Sequence, residues 1–194
     1  MRRRGVMFLG FAGVLAGLTL GCGGRDAVDP GTGVFEDFTK RVDQYAALRN
    51  RLADSVGPLN PTWDQSEITK LTNRLANAIR TARAGARQGD LFTPEAAKII
   101  ATIILHEYDR RPPGVLNARD DAQRELPDFV PEVNQLYPTA YPLATFPATL
   151  LPLLPQLPKE LEYRIVSKYL ILLDVEASII VDLMPHAVPH GKLL

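Results

Sequence analysis

Pro127, Pro131, Pro138, Pro142, Pro147, Pro152, Pro155 and Pro158 crowd one stretch of this chain. Each proline lacks a backbone N–H and holds φ near about −65°, so neither a long helix nor an inner strand can run through the segment. The fold must therefore be assembled from what lies before and after it. The segment is not a polar linker, because Phe129, Val130, Val133, Leu136, Tyr137, Tyr141, Leu143, Phe146, Leu150, Leu151, Leu153, Leu154 and Leu157 are too many apolar side chains for a disordered chain. Residues 112–160 are expected to wrap the core as extended pieces with one short helix near 147–154. Packing accounts for this wrap; a binding surface is the alternative.

Before the prolines the pattern is helical. Phe35, Phe38, Val42, Tyr45, Leu48, Leu52 and Val56 follow steps of three and four, opposite Glu36, Lys40, Arg41, Asp43 and Arg51, until Gly57-Pro58 stops them. A second helix starts at Asp64 as N-cap, with Glu67 as capping-box partner and Trp63 with Ile68 as a hydrophobic staple. Its stripe runs through Leu71, Leu75, Ile79 and Ala82, and Gly85 and Gly89 close it. Lys70, Arg74, Arg80, Arg83 and Arg87 form a basic face, read either as solvated or as turned to anionic lipid or envelope polymer. Thr93 caps a third helix, with Pro94 in its first position and Glu95 at the positive end of the dipole. Ile99, Ile100, Ile103, Ile104 and Tyr108 give it a broad apolar face, as in a helix covered from two sides.

After the prolines the pattern changes to strands. Glu162–Val166, Leu170–Leu173 and Ile179–Leu183 are rich in Ile, Leu and Val and are separated by short polar breaks, as in an antiparallel meander. Asp174 is read as a turn former and Asp182 as the outward member of an alternating strand. The expected fold class is α+β: three N-terminal helices packed on a small C-terminal antiparallel β-meander, joined by the proline-rich wrap.

The first residues carry a different message. Arg2, Arg3 and Arg4 precede an apolar run from Val6 to Leu20 that is interrupted by Gly10, Gly13 and Gly17, as in an export signal. That run is shorter than the roughly 20 apolar residues of a membrane-spanning helix. The pair Arg3-Arg4 permits twin-arginine as well as ordinary export. The expected organisation is a signal peptide over 1–21, Cys22 with a glycine-rich tether over 22–33, one α+β domain over 34–189, and a tail over 190–194. Removal of the signal turns 22 basic against 22 acidic residues into 19 against 22, so the clustered positive charge of a nucleic-acid binder is not expected. Cys22 is the only cysteine, which excludes an internal disulfide and a cysteine zinc site.

Leu18-Thr19-Leu20-Gly21-Cys22 resembles a lipobox, which implies lipidation of Cys22, palmitate included, and a membrane attached through a lipid anchor. Gly23 in place of aspartate implies the outer membrane where the cell has one. The alternative is an ordinary cleaved signal and a soluble secreted or periplasmic product. The runs Leu157–Val166, Leu170–Ala177 and Ile179–Asp182, with Gly89–Pro94 upstream, resemble a family of exported bacterial proteins of unknown function. The meander is also similar in architecture to small periplasmic metal-homeostasis proteins.

No catalytic set emerges. His106-Glu107 is followed by Arg110 where a zinc-protease motif needs a second histidine. His186 and His190 have a metal-sharing spacing, but Pro185 and Pro189 oppose a helix there, so they are weak candidates and no metal or other cofactor is expected. There is no Gly-x-Ser-x-Gly elbow and no phosphate-binding glycine loop. Two functions remain. One is a non-catalytic envelope lipoprotein that binds another envelope protein or a cell-wall polymer; the other is a hydrolase of envelope polymers using two of Glu162, Asp174, Glu176 and Asp182.

Overall fold

A computed structural model describes residues 30–57, 64–110, 129–138, 141 and 146–188, with side chains from residue 33 onward. The described elements are helices α1 (Pro30–Val56), α2 (Gln65–Ala82) and α3 (Pro94–Asp109), a 3₁₀ turn (Leu151–Leu153), and strands β1 (Leu161–Val166), β2 (Tyr169–Asp174) and β3 (Ile179–Met184). The strands form one antiparallel sheet in the order β1-β2-β3. The fold class is α+β, as the change of period along the sequence predicts.

The helix ends follow their chemistry. Asp64 caps α2 by accepting the Ser66 N–H at 2.8 Å, a bond that holds its carboxyl below the ordinary range. Trp63 lies outside the described residues. Thr93 caps α3 through Ala96, with Pro94 leading the first turn. Helix α1 begins at Pro30 rather than Phe35, so residues 30–33 of the expected tether are helical; proline suits the first helical position. The buried face of α3 is narrower than expected. Ala96, Ile100, Ile104 and Tyr108 are buried, Ile99 and Ile103 are half-buried, and Leu105 is exposed.

Helices and sheet share a core centred on Phe38 of α1. Its ring stacks on Phe92, before α3, at 5.6 Å and on Tyr163 of β1 at 6.5 Å, and Phe146 of the wrap tilts against Tyr163 at 5.6 Å. On the opposite face of the sheet, Phe129, Val133, Tyr137 and Tyr141 pack over Val166, Ile171, Leu173, Ile180 and Leu183. Tyr137 and Tyr141 meet edge to face at 6.1 Å. The sheet is thus buried on both faces, which is why β2 and β3 are apolar nearly throughout instead of alternating.

The wrap also covers the β3 edge. Asn134 N–H donates to Ile180 O, Ile180 N–H to Gln135 O, and Tyr137 N–H to Ser178 O, with Leu136 bridged to Ile179. An edge that would otherwise offer unpaired donors and acceptors is closed by a short strand-like segment. The helix expected near 147–154 is reduced to turns and the 3₁₀ turn, since Pro147, Pro152 and Pro155 each withhold an N–H.

Candidate functional site

The polar centre of the molecule arises from an irregularity in β3. Leu172 pairs with Asp182, but Leu173 pairs with Ile180, so Val181 is an extra residue, a β-bulge. The bulge places Val181 and Asp182 successively on the helix side. Asp182, expected to face outward in a regular strand, instead points inward and is wholly buried. One carboxylate oxygen accepts the N–H groups of Gly89 at 2.9 Å and Leu183 at 2.7 Å; the other accepts those of Leu91 at 2.7 Å and Phe92 at 2.8 Å. Burial pushes this carboxyl above its ordinary range, and the backbone donors only partly oppose that. Gly89 has φ +90°, a conformation that L side chains rarely adopt, and it is this turn that aims the loop's N–H groups at Asp182.

Arg83 secures the same bulge from the other side. Its guanidinium donates to Val181 O at 2.9 Å and to Asn134 Oδ1 at 3.0 Å, and lies over the Tyr45 ring at 5.1 Å. Asn134 returns a hydrogen bond from its side-chain amide to Arg83 O at 2.7 Å and adopts φ 65°. Arg80 donates to Asn134 O at 3.0 Å. The expected basic face of α2 is therefore not continuous: Arg80 and Arg83 hold the wrap, and Lys70 pairs with Glu67.

A second cluster joins α1 to the β2–β3 turn. The buried Asp174 carboxylate accepts Tyr45 O–H at 2.8 Å, Arg49 Nε–H at 3.2 Å and the Ala177 N–H at 2.9 Å. The last bond is the turn-forming role expected of Asp174. Arg49 is 4% exposed and also pairs with Glu176. Burial works against its charge, but the hydrogen bond it donates to Glu176 and the two carboxylate charges outweigh it and raise its pKa. The Tyr45 hydroxyl is pushed far up by burial and by the Asp174 charge. Nothing in the sequence pattern distinguishes Arg49 from an exposed helical arginine; the signal is only its position four residues after Tyr45 on the apolar stripe.

Of the four carboxylates considered for hydrolysis, Asp174 and Glu176 meet through Arg49, Glu162 pairs with Arg164, and Asp182 is enclosed by the α2–α3 loop. Asp174 and Asp182 are completely buried, and their oxygens are occupied by internal donors. His106 is exposed on α3, and His186 is exposed in a left-handed turn with φ 54°; His190 and Cys22 lie outside the described residues. Among the described residues no group of three or more His, Cys, Asp or Glu converges as a metal site. Among the same residues no helix is long and apolar enough to cross a membrane.

The two large grooves lie away from Asp174, Glu176 and Asp182; of the four carboxylates Glu162 lines one of them, and Glu176 lines a small pocket between α1 and α2. An open groove of about 990 Å³ runs between the first half of α1, with Phe35, Lys40 and Ala47, and the turn Pro152–Gln156. A second groove, about 740 Å³, lies across the same turn, between it and β1, and is lined by Phe146, Leu151, Leu157 and Tyr163. No protein-family model, curated protein or solved structure matches the chain.

Proposed function

We propose that this chain is a cell-envelope lipoprotein, held at a membrane surface through acylated Cys22, whose domain is a non-catalytic binding or structural module. The observation that carries the reading is Leu18-Thr19-Leu20-Gly21-Cys22 at the end of an apolar run with a basic start. Two or three acyl chains, each contributing roughly 0.8 kcal/mol per buried CH₂, hold a protein firmly on one side of a bilayer. The non-catalytic part is supported by Asp174 and Asp182, whose burial and internal hydrogen bonds leave them no access to a substrate. The partner class is an envelope protein or a cell-wall polymer.

Labelled palmitate fed to cells is expected in the wild-type chain and absent from Cys22→Ser, which shifts in gel mobility. Equal label in both would refute acylation at Cys22. In-cell crosslinking of the wild-type chain is expected to recover one reproducible envelope partner.

A further inference from the structure

The turn shared by the two grooves carries the largest cluster of exposed apolar side chains among the described residues. Leu151 is 52% exposed and Leu153 46%, on either side of the exposed Pro152. Leu150 and Leu154 beside them are buried in the core, so the turn alternates between side chains that hold it to the domain and side chains that it presents outward. Charge is missing as well: from Val133 to Pro158 the chain contains no Asp, Glu, Lys, Arg or His. The charge-free surface is that of the turn itself, since the α1 wall of the first groove carries Glu36, Lys40 and Asp43.

Position supplies the occupant. Helix α1 forms one wall of the first groove and starts at Pro30, eight residues after Cys22. Eight residues in any conformation span at most about 28 Å. Phe35, at the near end of the groove, is only about 8 Å further along the helix. A domain anchored at Cys22 therefore keeps the near end of this groove within reach of the bilayer.

Resting on the lipoprotein reading, we propose that the Leu151-Pro152-Leu153 turn is a second, non-covalent membrane contact that enters the lipid interface beside the anchor and fixes the orientation of the domain. The turn is apolar, so its contact resists salt, unlike one made by basic side chains. With this turn in the lipid interface, the domain has one preferred orientation.

The test uses the full chain, acylated in cells and reconstituted into phosphatidylethanolamine–phosphatidylglycerol vesicles. Leu153→Cys is coupled to a polarity-sensitive fluorophore, with Lys98→Cys on the exposed face of α3 as the comparison. Acylated Cys22 does not react, so the parent chain must refuse the thiol reagent. Emission at position 153 is expected to rise about twofold, as for a group entering the acyl boundary. A quencher carried on the lipid should extinguish it, while position 98 stays unaffected and high salt changes neither.

Equal quenching at 153 and 98 overturns the contact and leaves the anchor standing. Protection of 153 that lipid quencher cannot reach also overturns it, and assigns the turn to a protein contact. Labelling of Cys22 in the parent chain overturns the anchor itself, and the contact with it. Unchanged circular dichroism verifies the fold, and Leu151→Cys repeats the measurement where Leu153→Cys does not fold.

Discussion

The carboxylate of Asp182 accepts the backbone N–H of Leu91 at 2.7 Å, joining β3 to the loop that leads into α3. This bond exists because Val181 is inserted as a bulge, which turns Asp182 toward the helices. With Gly89, Phe92 and Leu183 as further donors, one side chain replaces the water that a buried loop backbone would otherwise lack. The arrangement is a device for docking the helices on the sheet.

Asp182→Asn is expected to destabilise the fold by about 3 kcal/mol or more, although it removes a buried charge. The amide keeps one acceptor oxygen and turns an NH₂ toward N–H donors, and each buried donor left unpaired costs about 1–3 kcal/mol. Urea unfolding checks this, and a loss below about 1 kcal/mol would sink the assignment.

Gly89→Ala should cost about 1–2 kcal/mol, because the backbone there has φ +90°. Steric crowding is not the cause, since the nearest atom to an added Cβ, Phe92 O, is at an ordinary 3.5 Å. The alanine moves the Gly89 donor away from Asp182, so the double variant with Asp182→Asn should lose less than the two single losses added together. Strict additivity would separate the two effects.

Asp174→Ala takes from Arg49 its fully buried charge partner and leaves it only the half-exposed Glu176, and removal of one member of a buried pair costs about 3–5 kcal/mol. Tyr45→Phe removes one hydrogen bond to the same carboxylate, about 1.5 kcal/mol. Arg49→Met combined with Asp174→Asn should be milder than Asp174→Ala alone. Thermal melting of the three variants gives the order directly.

Alkaline pH should unfold the protein through its tyrosines. Burial raises the hydroxyls of Tyr45 and Tyr163, and pushes Tyr137 up to about 12, from an ordinary 10.0. Above pH 10 the unfolded chain releases protons that the folded one retains, so this stability is complete below pH 10 and falls as pH rises toward 12 and beyond. Tyrosinate absorbance and loss of helical dichroism should rise together; ionisation of all tyrosines well before unfolding would contradict their burial.

Secondary structure was legible because its causes are local. The Asp64 and Thr93 caps, the proline stops and the Ile/Leu/Val runs of the meander act within a few residues of themselves, and the described strands differ from the expected ones by one residue at most ends. What each polar side chain does was decided by distance in space. Arg49 meets Asp174 across 125 residues and Arg83 meets Val181 across 98. A single unpaired residue in β3 reversed the direction of Asp182, because strand periodicity assigns faces by counting, and a bulge changes the count without changing the composition.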